Sequence, residues 1–464
     1  MAIEEDLDSW KISSTKTMIS YGFGYIFVNW LLSYGLANVY YFYQVEMGLN
    51  VIYVGIAYAI FAVWNMVNDP LLGYFTDKPM KWTKKWGLRA PWVYITTIPV
   101  LLFFWLIWLP PVGGSVIVIV LWFIIFTCLH DTFFSIYNDH VYGGFTNQFP
   151  SEYERRRAFA IATILMFIVL TFMSIMSSVL IVYGNPASFV MWATFMVILL
   201  AIFSIIIFPG VRESEELKQM FLTAYEKADE TSFFNNLKIA LKTKNFRVSL
   251  AGYTITLTAT TLFGGSLIYM FRYVYGIPFT MTAIPALFGV VASLCMIPFW
   301  SNYARKHGFK KTYATAYIIH GFCFLPFLFT FDIITHTIFY IIYNMVYIGE
   351  VTMLMPVASD TYDEVSSNVG RRVDASLVGI RTFFFRVALL IQAIVFTVVF
   401  LLTGFNAAAE TQSPSAQLGI RINGALIPAI LMITMGFIFR KYYTLEGEEK
   451  MALVMKLKDL GLYR

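Results

Sequence analysis

The chain has 464 residues, of which 58% are hydrophobic and only 13% are charged, and its mean hydropathy is +0.67. Soluble globular proteins carry about 25% charged residues, so this composition excludes a water-soluble globular protein and predicts a chain embedded largely in lipid. The formal net charge is +5, but the basic residues form clusters separated by apolar runs, which argues against nucleic-acid binding.

Twelve apolar runs are long enough to cross a bilayer, because a hydrocarbon core of about 30 Å requires about 20 helical residues. Transmembrane β-strands would be about 10 residues long and strictly alternating, whereas these runs are longer and continuous. The sequence therefore predicts an all-α membrane protein with twelve transmembrane helices. The runs are residues 18–44, 51–76, 91–110, 115–142, 158–184, 187–209, 247–275, 279–302, 312–330, 333–358, 374–404 and 420–440.

The basic residues predict the orientation and the division of the chain. Of the 33 Lys and Arg residues, 29 lie in the tails or in loops on the same side as the tails, so we expect both termini in the cytoplasm. The longest loop, residues 210–246, separates an N-terminal half of six spans (1–209) from a C-terminal half of six spans (247–440). A cytoplasmic tail, 441–464, follows.

An internal repeat supports the two halves. The second span of each half is followed by a basic loop that contains a glycine, Gly87 in the first and Gly308 in the second. Two six-helix halves with a binding site between them are a common transporter architecture.

The second span contains a carboxylate that lipid would disfavour, since a charged residue at a helix centre costs about 2.5–3.5 kcal/mol on insertion scales. Asp69 lies four residues after Asn65, so the two share a helix face, and Asn68 flanks them. Pro70 frees a backbone carbonyl one turn earlier. One carboxylate with several neutral oxygens suits Na⁺; the alternative is a structural ion pair of Asp69 near the cytoplasmic end.

Five further charged or titratable side chains interrupt later spans. His130 and Asp131 in span four are candidates for lining a solute cavity, with a packed helix–helix hydrogen bond as the alternative. Glu350 in span ten is a candidate proton carrier, because a buried carboxyl titrates nearer neutral pH, or else a partner for Arg386 in span eleven. Arg381 is read as a structural partner of an acidic residue on its own helix face.

Six segments of the chain form a distinctive series: ISYGFG (19–24), YYFYQVEMGL (40–49), VWNMVNDPLLGY (63–74), KKWGLRAPWV (84–93), PSEYERRRAFA (150–160) and SDTYDEVSSNVGRRVDAS (359–376). In this order they resemble the glycoside–pentoside–hexuronide cation symporters, the melibiose-permease-like family, which has the major facilitator superfamily fold. The segment at Thr127–His130, TCLH, is more similar to the vertebrate lysolipid symporters of the same superfamily.

The resemblance implies a cation site at Asn65, Asn68, Asp69 and Thr127. For Asn65 and Thr127 the alternative is a role in helix packing. One carboxylate of the family's site is replaced by Asn65, which implies weaker Na⁺ binding or coupling to H⁺ instead. Arg386 corresponds to the family's cavity lysine. The resemblance also implies a cytoplasmic gate of ion pairs, for which a solvated charge run is the alternative. The gate residues are Gly73, Asp77, Lys78, Asp360, Asp363, Arg371 and Arg372.

The family's charged sugar anchors are neutral here: they read Asn29, Asn65 and Thr163. A neutral amide binds a hydroxyl less strongly than a charged group does, so the predicted function is a cation-coupled symporter that works by alternating access. A sugar or glycoside is the first solute, and an amphipathic or anionic one, such as a lysolipid or an organic acid, is the alternative. Asn29, His130, Asp131, Glu350 and Arg386 are the predicted solute ligands.

Other classes of function fit the sequence less well. No nucleophile–base pair or cluster of metal ligands suggests an enzyme, and the short tail offers little for a transporter-like sensor. We expect no cofactor, apart from the coupling ion Na⁺ or H⁺. The expected partners are the solute, that cation and membrane lipids, and we expect a monomer in the plasma membrane.

Overall fold

The computed structural model describes residues 13–76, 78–149, 152–215, 218–219, 222, 233–370 and 373–460. Within these residues every regular element is helical, as the sequence predicts, and ten helices are long and apolar enough to cross a membrane. Two of the twelve predicted spans follow each other directly within Ala283–Phe324 and are separated at Gly308, whose φ of +78° and ψ of 164° are not helical. The first predicted span is interrupted by π-helical turns and therefore forms shorter pieces.

The first compact unit comprises Met1–Met47 and Val63–Asp229. Its helices are α1 (Thr15–Trp30), the part of α2 (Val51–Thr76) from Val63 onward, α3 (Arg89–Ile107), α4 (Val116–Gln148), α5 (Glu152–Leu180) and α6 (Pro186–Val211). The shorter elements are the π-helical turns Leu31–Gly35 and Phe42–Glu46 and the short helices Val39–Tyr41 and Thr83–Trp86.

Aromatic side chains fill the centre of this unit. Helix α1 packs on α5 and α6, and α3 packs on α4 and α6. The rings of Trp108 and Trp192 lie 4.9 Å apart, and Trp30 lies 5.9 Å from Trp192. In contrast, Ile98 is 73% exposed and Ile117 is 71% exposed. Apolar side chains facing outward are expected where the solvent is lipid, so both faces of these helices are apolar.

The second compact unit comprises Gly48–Ala62 and Glu230–Arg464. Helix α7 (Phe233–Lys242) belongs to the central loop, and α14 (Gly447–Asp459) belongs to the tail. The long helices between them are α8 (Lys244–Tyr269), α9 (Ala283–Phe324), α10 (Ile333–Val369), α11 (Asp374–Thr403), α12 (Pro414–Arg421) and α13 (Ile427–Tyr442). The remaining elements are the π-helical turns Met270–Val274 and Ile422–Leu426 and the 3₁₀ turns Phe279–Thr282 and Leu325–Leu328.

Within this unit α9 packs along α10 and α13, and α8 packs on α11 and α13. The start of α10 is fixed by Asp332, whose carboxylate accepts hydrogen bonds from the backbone N–H groups of Ile334 and Thr335 at 2.8 and 2.9 Å. Such caps satisfy amides that have no partner within the helix.

The predicted repeat of a basic loop with a glycine has a structural counterpart. Gly87 has φ +89° and Gly308 has φ +78°, a conformation that other residues rarely adopt. In each unit a glutamate that follows the last long helix packs against this glycine. A Cβ atom on Gly87 would overlap the Glu213 carboxylate, and one on Gly308 would lie 2.7 Å from Glu446 Oε1.

Candidate functional site

A buried carboxylate in the first unit is held by two asparagine amides. Asp131 on α4 is 3% exposed, and Asn65 and Asn68 on α2 are 1% and 7% exposed. The Nδ2 group of Asn65 donates to Oδ1 of Asp131 at 2.5 Å, and that of Asn68 donates to Oδ2 at 3.3 Å. Both carboxylate oxygens therefore accept a hydrogen bond from α2.

The amides also bring neutral oxygen atoms to this place. Among the described residues, the buried Oδ1 atom of Asn65 has no hydrogen-bond partner. An unpartnered buried carbonyl oxygen costs about 1–3 kcal/mol, so its persistence calls for an explanation such as an ion or water. Carboxylate and amide oxygens are the ligands that hard cations prefer.

The other predicted cation ligands have different positions. Thr127 lies one turn before Asp131, and its hydroxyl donates within α4 to the carbonyl oxygens of Phe123 and Ile124, at 2.6 and 3.1 Å. Asp69 follows Asn68 on α2, but its side chain lies outside the described part of the chain. The structure thus brings Asn65 and Asn68 together with Asp131, which the sequence had assigned to the solute.

Two predicted solute ligands in the first unit are engaged within the protein. His130 is 2% exposed, and its Nδ1 atom lies 3.1 Å from the carbonyl oxygen of Val100 on α3; this is the packed helix–helix hydrogen bond that was the alternative to a solute contact. The Nδ2 group of Asn29 lies 2.7 Å from the carbonyl oxygen of Tyr25 and 2.9 Å from the hydroxyl of Tyr142.

Glu350, in the second unit, pairs with a histidine. Its Oε1 atom lies 2.7 Å from Nδ1 of His320 on α9, and both side chains are almost fully buried. The sequence had suggested Arg386 as the partner. Arg386 is 5% exposed and lies over the ring of Phe385.

The predicted gate is described only in part. Asp360 forms a 2.7 Å ion pair with Lys450 on tail helix α14, a partner that the sequence did not indicate. Gly73 lies within α2, and Lys78 and Asp363 lie in the described part of the chain. Asp77, Arg371 and Arg372 lie outside the described residues.

No group of three or more His, Cys, Asp or Glu side chains that could hold a metal ion occurs among the described residues. A cation site at Asp131 would therefore depend on one carboxylate with neutral oxygens, which is a donor set for a monovalent ion rather than for a transition metal.

The helices and the buried polar clusters define a multi-span membrane protein with the major facilitator fold. Residues 19–446 match the family described as MFS/sugar transport protein, and the chain belongs to that family. In the solved nucleoside transporter NupG the fold is similar over 93% of this chain and 98% of that chain, with a TM-score of 0.60 at 15% identity.

Two curated relatives are similar in sequence. The sodium-dependent lysophosphatidylcholine symporter 1 of Xenopus tropicalis is 24% identical over 288 residues, which are 54% of this chain and 52% of that protein. The sodium-dependent lysophosphatidylcholine symporter 1-A of Danio rerio is 32% identical over 100 residues, 21% of this chain and 18% of that protein. The matched region thus spans about half of the first relative and less of the second.

Proposed function

We propose that this protein is a Na⁺-coupled symporter of a lysophospholipid, with Asp131 as the anionic ligand of the coupling ion. It is not an enzyme. It acts as a monomer in the plasma membrane, with both termini in the cytoplasm, and moves its solute by alternating access. The observation that carries the proposal is the buried Asp131 carboxylate held by the amides of Asn65 and Asn68.

The two amides suit a site that is alternately empty and filled. With the cation absent, their N–H groups stabilise the carboxylate without neutralising its charge. A half-turn of either amide about its Cβ–Cγ bond exchanges the N–H donor for an oxygen. Cation binding would then replace two hydrogen bonds by two oxygen ligands beside the carboxylate, and the Asn65 oxygen already lacks a hydrogen-bond partner.

Asp131 supplies a carboxylate close to the position at which Asn65 replaces the carboxylate of the resembling family. In the resembling family one cation-binding carboxylate occupies the Asn65 position, and its loss suggested weaker Na⁺ binding. Asp131 on α4 accepts a hydrogen bond directly from Asn65, so a carboxylate remains beside this position although it comes from another helix. This supports Na⁺ coupling, as in the two relatives whose names describe them as sodium-dependent.

The proposed class of solute rests on the same two relatives and on the hydrogen bonds made at the three positions where the resembling family binds sugar. Of the three positions where the resembling family binds sugar with charged groups, Asn29 and Asn65 donate to protein atoms. Thr163 donates to the carbonyl oxygen of Phe159 within its own helix. Three neutral, internally bonded side chains favour a lysolipid over a glycoside. The family description, which includes sugar transport, keeps a glycoside as the second candidate.

Thermal unfolding of the purified protein tests the cation site. Na⁺, with choline as the ionic control, should stabilise the wild type, by about 2.7 kcal/mol at a hundredfold excess over its dissociation constant. Asp131→Asn should remove this response. Asp139→Asn, the same change two turns further along α4, should retain it. An undiminished Na⁺ response in Asp131→Asn would refute the assigned ligand.

Asn65→Asp gives the opposite test at the same site. A second carboxylate beside Asp131 adds charge repulsion in the empty site, so we expect lower stability without Na⁺ and a larger gain with Na⁺ than in the wild type. If the gain is unchanged, Asn65 does not face the cation.

Uptake into sealed proteoliposomes tests transport and the solute. An inward Na⁺ gradient should drive entry of lysophosphatidylcholine and leave methyl glycosides and nucleosides outside. If Na⁺ drives the entry of a glycoside but not of lysophosphatidylcholine, the proposed solute is wrong and the proposed Na⁺ coupling holds. Absence of Na⁺-driven entry of every solute would overturn the proposed function.

A further inference from the structure

A histidine and a glutamate on neighbouring helices form the most deeply buried ion pair described in the second unit. His320 Nδ1 lies 2.7 Å from Glu350 Oε1, with the side chains 0% and 1% exposed. The second carboxylate oxygen lies 3.4 Å from the hydroxyl of Thr256 on α8. Three helices, α8, α9 and α10, therefore converge on one titratable pair.

The surroundings of the pair are mostly aromatic. The His320 ring lies 4.7 Å from the ring of Tyr343 and 5.6 Å from that of Tyr347. The other titratable or charged groups that act on the pair, or on its tyrosines, are Tyr253, Tyr313, Tyr317, Cys323, Tyr340, Tyr343, Tyr347 and Arg381.

Most of these groups do not change charge near neutral pH, because tyrosine hydroxyls and buried thiols stay protonated there. Arg381 on α11 is the cation among them, and its guanidinium stacks 4.5 Å from the ring of Tyr253. The same helix carries Arg386, which is also always charged. Among these groups, only the imidazole and the carboxyl of the pair could take up an added proton.

The number of protons decides the charge of the pair. A neutral imidazole with an ionised carboxylate has a net charge of −1. One proton taken from water forms an N–H bond on the imidazole or an O–H bond on the carboxyl, and either product is neutral. Burial penalises a net charge far more than a neutral hydrogen-bonded pair, so this buried arrangement favours the form with the added proton.

The histidine has a proton site to spare. Within the described part of the chain, Nε2 of His320 has no hydrogen-bond partner. The same is true of Nε2 in the buried His140 and His336. This nitrogen therefore shows where a second proton could sit on the imidazole, and the argument for an added proton rests on the buried carboxylate beside it.

We propose that His320 and Glu350 form a proton-binding site, which holds one proton in the buried conformation described here and releases it in a conformation that admits water to the pair. This site uses residues other than those assigned to Na⁺. It stands on the geometry of the pair and does not depend on the identity of the solute.

The first test is the pH dependence of thermal stability. Unfolded histidine loses its proton near pH 6.5, and the proposal is that the folded pair holds one proton more. The folded state then binds more protons than the unfolded state, so wild-type stability should fall as pH rises from about 6.5 towards 9. Glu350→Gln mimics the neutral carboxyl and should flatten this fall. Glu448→Gln, an exposed change of the same kind on α14, should leave it intact.

Two results would overturn the proposal: wild-type stability that is constant between pH 6.5 and 9, or parallel curves for the wild type and Glu350→Gln. The first result is measured on the wild type alone, so the proposal can be refuted even if Glu350→Gln folds poorly. A fixed structural hydrogen bond predicts the parallel curves, with Glu350→Gln lower at every pH.

Proteoliposomes that contain the pH dye pyranine give a second readout, and they separate this inference from the proposed function. Entry of lysophosphatidylcholine is measured by mass spectrometry in the same vesicles. The inference expects lumenal pH to fall with solute entry in the wild type but not in Glu350→Gln. Solute entry without proton movement overturns the proton site and leaves symport intact. If no solute enters but the two stability curves differ, the proton site stands and the proposed function fails.

Discussion

Replacing Gly87 by alanine tests whether the loop between α2 and α3 is fixed by the glutamate that follows α6. Glu213 is 6% exposed, and its Oε2 atom accepts hydrogen bonds from the backbone N–H groups of Arg89 and Ala90, at 2.8 and 3.5 Å. It therefore caps the start of α3. A Cβ atom at position 87 would occupy the space of this carboxylate.

The expected loss has two parts. A residue with a Cβ atom in the left-handed region is strained by about 1–2 kcal/mol. Displacement of the carboxylate removes hydrogen bonds to a charged acceptor, which contribute about 1.5–3 kcal/mol. Gly113 provides the matched control, because its φ is +77° and a Cβ atom there would meet no atom within 4 Å. Gly113→Ala should show the strain alone, so Gly87→Ala should lower the free energy of unfolding by about 1.5–3 kcal/mol more.

The assay is denaturant unfolding in detergent for the wild type, the two alanine variants, Glu213→Gln and the double variant Gly87→Ala/Glu213→Gln. Because both changes act on one cap, their effects should add to less than the sum. Equal losses in Gly87→Ala and Gly113→Ala, or full additivity in the double variant, would refute the role given to Glu213.

Three further predictions use the same unfolding assay. Gly308→Ala should destabilise the protein more than Gly276→Ala, since both have positive φ but only a Cβ at 308 would press on a carboxylate, 2.7 Å away; equal losses would contradict this. Arg421→Lys should lower the free energy of unfolding by about 1–3 kcal/mol. One ammonium group cannot replace the two guanidinium nitrogens of Arg421, which donate to the backbone carbonyls of Leu328 and Thr330 at 2.5 and 3.0 Å. Arg440→Lys on the surface should leave the stability unchanged, and an equal loss in both variants would contradict this. Burial raises the pKa of the Glu213 carboxyl above its usual value, so the folded state holds this proton longer than the unfolded one. Stability should then decline as pH rises from about 4.3 through the raised pKa, and Glu213→Gln should flatten that decline; an unchanged slope would show that Glu213 is not the group responsible.

Much of the fold is predictable because lipid imposes long apolar helices on the sequence. All twelve predicted runs are helical in the described part of the chain. The detail that composition could not predict is local: the π-helical turns Leu31–Gly35 and Phe42–Glu46 lie within or at the end of the run 18–44, which hydropathy predicts as one span. Hydropathy predicts whether a helix is surrounded by lipid or by water. It does not predict where the backbone hydrogen bonds change from the α-helical to the π-helical pattern.

Of the candidate site, the sequence could predict only the residues that share one face of a single helix. The spacing of Asn65 and Asp69 placed both on one face of the second span, with Asn68 beside them, but the partner of the two amides, Asp131, lies on a different helix. The hydrophobic periodicity of a sequence predicts the faces of a single helix. It does not predict which faces of two helices pack against each other. His320 illustrates the same limit: a lone histidine in an apolar run gains meaning only from Glu350 on the next helix.

The two buried acids differ in what surrounds them, and this difference predicts separate ion responses. The amides at Asp131 donate hydrogen bonds but cannot take up a proton, so only a proton on the carboxylate itself or a bound cation neutralises it, and we propose Na⁺. The imidazole at Glu350 can itself carry a proton, so a proton is sufficient there. Asp131→Asn should therefore abolish the Na⁺ response and leave the slope of stability between pH 6.5 and 9 unchanged, while Glu350→Gln should do the reverse. Loss of both responses in either single variant would show that the two acids act as one site, and the assignment of one ion to each would fail.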